Sequence, residues 1–172
     1  MFRITIHSPN GAALRERQPA MPQSLSNVLV HMVYSTKHRK PWLKDAGVRA
    51  ELFAYTATIL KTNVDSPALI IGGVADHVHL LCLLSRKQAL MDVVQQSKTE
   101  TSKWMKKQGA KFNEFQWQAG YGAFSVSQSN VEQVKHYIAT QEEHHRKMSF
   151  QEEFREICRR HGIAIDERYA WE

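Results

Sequence analysis

The sequence predicts an α+β fold whose elements follow the order strand, helix, strand, strand, helix, strand, with more helices at the C-terminus. Three features predict it: runs of branched and aromatic residues, two segments with apolar residues at helical spacing, and turn residues between them. The 172 residues, 42% of them hydrophobic, suffice for one domain with a core that needs no disulfide. This is the βαββαβ order of a ferredoxin-like sandwich with an antiparallel sheet and a C-terminal helical extension.

The first three strands and the first helix occupy residues 25–84. A strand is predicted over 25–36, and Asp45 is a suitable N-cap for a helix that ends near Thr62. Apolar strands over 68–74 and 77–84 then form a hairpin. The helix is predicted from its apolar residues at helical spacing, Val48, Leu52, Tyr55 and Ile59.

The second half contains a long amphipathic helix, a strand and terminal helices. The helix is predicted over 88–108, and the strand over 115–127. Ser129 and Glu132 match a capping box, which predicts a helix running to about Arg146. Another helix follows over about 150–161, before Gly162. The predicted inner face of the long helix is Leu90, Val93, Val94, Ser97, Thr101, Trp104 and Met105.

The N-terminal residues differ from the rest of the chain. Residues 1–20 contain turn residues and charges but no sustained periodicity, so we expect a flexible extension before a folded domain over 21–172. Cys82 and Cys158 form no CxxC pattern, which indicates apolar fillers in a reducing compartment. No segment is apolar enough for a membrane span, and residues 1–20 contain no signal peptide, so we expect a cytoplasmic protein.

The charge of the chain favours an anionic partner. Its formal net charge is +6 and its isoelectric point is about 9.4. Nucleic acid is the usual partner of such a protein, although a protein that is merely basic remains an alternative.

Two histidines in the third predicted strand form a candidate metal site. His77 and His79 are two residues apart and therefore point to the same face of a strand, with Val78 and Leu80 facing the other way. Two neutral imidazoles side by side can chelate one metal ion. The alternative is a pair of histidines that are hydrogen-bonded in a half-buried strand.

A tyrosine in the helix after the last strand is a candidate nucleophile. Tyr137 and Gln141 are four residues apart and share a helical face. A phenol has a pKa near ~10, so it needs a cation, a base or an activated electrophile to react at neutral pH. Gln141 can supply an oxygen ligand to a metal that polarises a phosphate. The alternative is that both are ordinary surface or core residues.

Together, these segments resemble a known family. Segments 29–37, 76–81, 115–127 and 137–141 occur in the order found in single-tyrosine HUH transposases of small bacterial insertion sequences and in the related REP-associated tyrosine transposases. The HVH sequence within 76–81 resembles the HUH motif, in which U is a bulky apolar residue. The resemblance covers nearly the whole chain, from about residue 22 to residue 171.

The resemblance implies a function and a set of site residues. It implies that His77, His79 and Gln141 bind Mg²⁺ or Mn²⁺ and that Tyr137 attacks a DNA phosphate to form a 5′-phosphotyrosine. It also implies a homodimer that acts on hairpin-bearing single-stranded DNA, either in DNA transposition or as a domesticated relative. Tyr121, which lies between two glycines, is the weaker candidate for the nucleophile.

Basic residues are the expected contacts to DNA phosphates. Trp104 and Trp117 could stack on bases, but their apolar surroundings favour the core. His144 and His145 could assist phosphate binding, although a solvated helix face is the simpler interpretation. The candidate phosphate contacts are Lys37, Arg39, Lys40, Lys98, Lys103, Lys106 and Lys107.

Two other functions remain open from the sequence. One is a catalytically idle nucleic-acid-binding module of the same fold. The other is a metal-dependent hydrolase, in which the histidine pair would activate water. The hydrolase should have a cluster of acidic ligands, and only Asp76 lies near the histidines in sequence.

Overall fold

The computed structural model describes residues 25–168 and Trp171. A four-stranded antiparallel sheet lies at the centre of this part of the chain. The N-terminal extension predicted over 1–20 lies outside the described residues. The strands are β1 (Leu29–Ser35), β2 (Ala68–Gly73), β3 (His77–Leu83) and β4 (Gly122–Val126). Their order across the sheet is β2-β3-β1-β4.

Two groups of helices cover the two faces of the sheet. Helix α1 (Ala46–Thr62) connects β1 to β2, and α2 (Leu90–Lys106) connects β3 to β4. This confirms the predicted ferredoxin-like sandwich. The C-terminal extension follows as α3 (Val131–Ala139), α4 (Gln141–His144) and α5 (Phe150–Arg160). Within the described residues, no helix has the length and apolar character that a bilayer crossing requires.

The central strands are buried on both faces. Met32, Val78 and Leu80 belong to the core between the sheet and helices α1 and α2. Val33 and Leu81 point the opposite way and pack under the C-terminal helices. Because successive side chains alternate between the faces of a strand, β1 and β3 supply both cores at once.

The predicted capping box at Ser129 and Glu132 is wrong. Residues 128–130 form a 3₁₀ turn, and the hydroxyl of Ser129 contacts the hydroxyl of Ser127 rather than the helix. The capping box occurs instead at the start of α5, between Ser149 and Glu152. The helix predicted to run to Arg146 also ends earlier.

The break between α3 and α4 falls at Thr140, whose φ of −100° and ψ of 20° are not helical. The Thr140 hydroxyl donates a hydrogen bond to the carbonyl of His136 at 2.9 Å. Such a side-chain bond competes with the helical ladder and satisfies a carbonyl at the helix end. The helix is therefore interrupted immediately before Gln141.

The last strand is shorter than predicted. It was expected over 115–127 but begins at Gly122, and the preceding segment meets the sheet through a bridge between Thr36 and Trp117. Nε1 of Trp117 donates to the hydroxyl of Thr101 on α2 at 2.9 Å. Trp117 packs in the core beneath α2, and the pairing with β1 is interrupted between Trp117 and Gly122.

A glycine in β2 allows α3 to lie directly on the sheet. A Cβ atom on Gly72 would stand 2.3 Å from the carbonyl oxygen of Ile138 and 2.9 Å from its Cγ2 atom. These distances are shorter than non-bonded atoms tolerate. Since Ile138 is next to Tyr137 in α3, the absence of a side chain at Gly72 helps to set the position of the tyrosine.

We predict that Gly72→Val destabilises the protein by about 1–3 kcal/mol, because α3 must move to accommodate the side chain. For a chain of this size, that corresponds to a drop in Tm of roughly 3–10 °C in a thermal melt. Gly120→Ala is the matched control, because a Cβ there meets no atom within 4 Å in the described part of the chain. An equal Tm for Gly72→Val and the unmutated protein would contradict the close packing of α3 on β2.

Candidate metal and tyrosine site

The pleat of β3 places the predicted histidine pair on one face, as expected. His77 and His79 are fully buried, and their ring centroids lie 5.2 Å apart. The opposite residues, Val78 and Leu80, lie in the core under α1 and α2. His31 of β1 joins the pair, because its Nε2 atom forms a hydrogen bond of 3.0 Å with Nδ1 of His79.

Helix α3 places Tyr137 against the histidines of the same chain. Its ring meets the ring of His79 edge-on, with centroids 5.8 Å apart. Gln141, at the start of α4, is buried, and its Oε1 atom lies 3.4 Å from Nε2 of His77. The structure therefore brings together the residues that the sequence predicted for catalysis and metal binding.

Glu153 of α5 lies in the middle of this group, and the sequence analysis did not identify it. Its carboxylate is buried and accepts hydrogen bonds from the hydroxyl of Tyr137 and, at 2.9 Å, from the amide of Gln141. A signal for it was present: Glu153 is a charged residue beside Phe150, Phe154 and Ile157, which form the apolar face of α5. A carboxylate beside such a face has to find polar partners.

His145 also belongs to the site, although a solvated helix face was the simpler expectation for it. Its Nε2 atom bonds an oxygen of Glu153 at 2.9 Å, and its Nδ1 atom donates to the carbonyl of Met148 at 2.9 Å. The rings of His77 and His145 have centroids 4.5 Å apart. His145 follows α4 directly, after the interruption of the helix at Thr140.

The buried imidazoles next to the tyrosine are neutral at neutral pH. Desolvation, together with the neighbouring His79, lowers the pKa of His31 to about 3. Desolvation also lowers the pKa of His79 to about 4, although the nearby Glu153 carboxylate partly opposes this effect. Neutral imidazoles keep a free lone pair for a metal ion.

The tyrosine and the glutamate have pKa values displaced in opposite directions. Burial, followed by the charge of Glu153 and the hydrogen bond to it, raises the pKa of Tyr137. Burial alone would raise the pKa of Glu153, but the hydrogen bond from His145 and the proximity of His79 hold it well below its ordinary value. At neutral pH the site therefore holds an anionic carboxylate and a protonated phenol.

The cluster has the chemistry of a metal site. One donor atom from each of His77, His79, His145 and Glu153 lies within 4.8 Å of the others. Nε2 of His79 is buried without a hydrogen-bond partner among the described residues. A buried polar atom is rarely left unpaired, and a cation at the centre would pair with it. Imidazole and carboxylate donors together suit Mn²⁺ or Zn²⁺ better than Mg²⁺.

A cleft opens from the tyrosine toward solvent and reaches Glu153 of the cluster. Its volume is about 350 Å³, and Tyr137, Glu153, His144, Arg160 and His161 are among its lining residues. Most of these side chains can donate hydrogen bonds, as an anionic ligand beside the phenol requires.

The structure divides the predicted DNA-binding residues into two sets. Lys37, Arg39 and Lys40 follow β1 at the end where Ser35 pairs with His77, close to the site. The other four lie on or just after α2, which covers the opposite face of the sheet. They are Lys98, Lys103, Lys106 and Lys107.

Lys98 already has partners inside the protein. Its ammonium group donates to the carbonyls of Gln118, Ala119 and Gly120 at 2.8, 3.1 and 2.7 Å. It also lies 5.5 Å from the ring centroid of Tyr121, which is exposed and belongs to the same surface. Lys98 and Tyr121 therefore hold the loop before β4, away from the histidine cluster.

Comparison with known proteins relates the chain to transposases. The family model described as IS200-like transposase matches residues 24–141. A protein from Deinococcus radiodurans R1, provisionally assigned as a transposase, superposes with a TM-score of 0.54 at 21% identity, over 72% of this chain and 98% of that chain. The REP-associated tyrosine transposase bound to a REP hairpin superposes with a TM-score of 0.54 at 9% identity, over 74% of each chain. No curated protein sequence matches this chain.

Proposed function

Because the chain belongs to the family of IS200-like transposases, we propose that it cleaves and rejoins single-stranded DNA with Tyr137 as the nucleophile and a divalent metal ion as cofactor. The observation that carries this proposal is the meeting of Tyr137, His77, His79 and Gln141 on one face of the sheet. A phenol, two imidazoles and an amide oxygen are the groups that such chemistry needs.

The proposed reaction is a transesterification at phosphorus. The Tyr137 hydroxyl gives up its proton as its oxygen attacks the scissile phosphate, the bond from phosphorus to the 3′-oxygen breaks, and the leaving 3′-oxygen takes up a proton to become a 3′-OH. A 3′-OH later attacks the 5′-phosphotyrosine and releases the enzyme. Since each step exchanges one phosphoester for another, no external energy source is needed. The hydroxyl of Tyr137 must first leave its hydrogen bond with Glu153.

His77, His79 and Gln141 would hold the metal ion. The ion supplies Lewis-acid polarisation of a non-bridging phosphate oxygen. Nδ1 of His77 donates to the carboxylate of Asp76 at 2.7 Å, which orients its Nε2 lone pair toward the cluster. The imidazole donors favour Mn²⁺ over Mg²⁺.

Hairpin-bearing single-stranded DNA is the proposed substrate. One structural neighbour is the REP-associated tyrosine transposase bound to a REP hairpin. Here, the cleft beside Tyr137 would admit the strand next to the scissile phosphate, with Arg160 available for a phosphate. Lys37, Arg39 and Lys40, which follow β1, would contact the DNA backbone near the same end of the sheet.

We also propose a homodimer, on the basis of the family resemblance and of the two sheet edges formed by β2 and β4. Leu69 of β2 is an exposed large apolar residue at one of these edges. Light scattering at concentrations on the order of 10 µM, which suit interfaces of micromolar affinity, should give twice the 19.8 kDa mass of one chain. A mass of one chain at this concentration would contradict the dimer but not the chemistry.

Tyr137→Phe should reduce strand cleavage by roughly 1000-fold or more, because no other group replaces the missing oxygen. Hairpin binding should persist, since phosphate contacts come from other residues. The measurement is a denaturing gel after incubation with labelled hairpin DNA and Mn²⁺, in which a covalent adduct carries the label on the protein. Tyr121→Phe is the matched control and should form the adduct normally. An adduct in Tyr137→Phe would assign the nucleophile to another residue.

His77→Ala and His79→Ala should each abolish adduct formation while leaving hairpin binding in a gel-shift assay largely intact. Gln141→Ala should retain part of the activity, because water can replace one ligand at a cost in geometry. His136→Ala, on the exposed side of α3, is the control for loss of a histidine. Full activity of either β3 variant in Mn²⁺ would remove the pair from the mechanism.

The same assay separates the two alternative functions. A catalytically idle DNA-binding module would shift hairpin DNA without forming any adduct. A metal-dependent hydrolase, with Glu153 as its acidic ligand, would cut the DNA but leave no label on the protein. A labelled protein band is specific to the tyrosine mechanism.

A further inference from the structure

The three histidines of the cluster present the same nitrogen toward Glu153. Nδ1 of His77 donates to the carboxylate of Asp76, and Nδ1 of His145 donates to the carbonyl of Met148. Both acceptors lack protons, so the Nδ1 atoms carry hydrogens and the Nε2 atoms are the ones that can offer a lone pair to an ion. Without an ion, Nε2 of His145 donates to Glu153 at 2.9 Å. Nδ1 of His79 is likewise engaged, with Nε2 of His31, at 3.0 Å.

The three Nε2 atoms converge on one carboxylate oxygen. Oε2 of Glu153 lies 2.9 Å from Nε2 of His145, 3.3 Å from Nε2 of His79 and 3.6 Å from Nε2 of His77. The side chains of Glu153, His77 and His79 are buried. Electron-rich atoms that face one another in a buried space repel unless a cation lies between them. One proton could satisfy a single pair, but it would leave Nε2 of His79 without a hydrogen bond.

We propose that Glu153 and His145 are direct ligands of the metal ion, together with His77 and His79. This inference rests on the proposed function and extends its metal site by two ligands from the C-terminal extension. Both residues lie after residue 141, where the match to the family model ends. With Gln141, the site then offers three imidazoles, one carboxylate and one amide oxygen, a set of donors that selects Mn²⁺, Co²⁺ or Zn²⁺ over Mg²⁺.

This arrangement connects the metal to the nucleophile through one side chain. Oε2 of Glu153 faces the imidazoles, while Oε1 accepts from the Tyr137 hydroxyl and from the Gln141 amide. Glu153 therefore bridges the ion and the phenol. A DNA phosphate that approaches the ion has to displace this carboxylate or occupy a further coordination position.

The test is metal binding by the full chain, measured by calorimetry after removal of bound metal with a chelator. Mn²⁺, Zn²⁺ and Mg²⁺ are titrated separately, and Co²⁺ is added to record its visible absorption, which responds to ligand identity. The variants are Glu153→Gln and His145→Asn. Their matched controls are Glu156→Gln, on the same helix but paired with Arg159 and Arg160, and His136→Asn, on the exposed side of α3.

We expect both ligand variants to bind Mn²⁺ and Zn²⁺ at least about 100-fold more weakly, since loss of an outer partner alone costs 10–100-fold. The controls should bind like the unmutated protein, Mg²⁺ should bind weakly throughout, and the Co²⁺ spectrum should change only in the ligand variants. Circular dichroism checks folding. If Glu153→Gln does not fold, the metal affinity of His145→Asn decides whether the inference holds.

Unchanged Mn²⁺ and Zn²⁺ affinity in the ligand variants would overturn the inference, as would a failure of the unmutated protein to bind any of these ions at millimolar concentration. The proposed function is judged separately by the DNA adduct. If the unmutated protein forms an adduct but its metal affinity does not depend on Glu153, only the assignment of the two additional ligands is contradicted. Metal binding that depends on Glu153, without any adduct, contradicts only the tyrosine chemistry.

Discussion

Burial of β1 and β3 on both faces is the constraint from which the rest of this structure follows. A strand sends successive side chains to opposite faces, so one set of residues must build the core under α1 and α2 and the other set must be covered as well. On the second face, β1 and β3 present His31, His77 and His79 among apolar residues. The C-terminal helices are needed to cover this face, and the candidate site lies in the space between.

Covering polar side chains has consequences for the covering helices. An imidazole removed from water requires partners, and the helices supply them as Tyr137, Gln141, His145 and Glu153. Glu153 is the one carboxylate in this group. Its charge adds to the effect of burial in raising the pKa of Tyr137, and it attracts positive charge to the histidines. The residues that bury the histidine face of the sheet are therefore also the residues that form the candidate site. The close approach of α3 to Gly72 then limits how far the tyrosine can move.

Much of this arrangement follows from local patterns. Periodicity predicted the order of strands and helices and the inner face of α2, and residue type predicted the N-cap at Asp45. The structure confirms all three. The shared face of His77 and His79 follows from the two-residue period of a strand. The capping box illustrates the limit of such patterns, because the same spacing occurs at Ser129 and at Ser149, and only the second caps a helix.

The sequence by itself determined the fold class and the pairing of His77 with His79, because each depends on local periodicity. Tyr137 and Gln141 were predicted on one helical face, but the helix is interrupted at Thr140 between them, and their approach depends on how α3 and α4 pack on the sheet. Only the tertiary structure decided that His145 and Glu153 enter the same site. Glu153 is 76 positions from His77 in the chain, and their contact depends on how α5 lies across the sheet. No local period encodes that placement, since it results from the packing of Phe150, Ile157 and the sheet into one core.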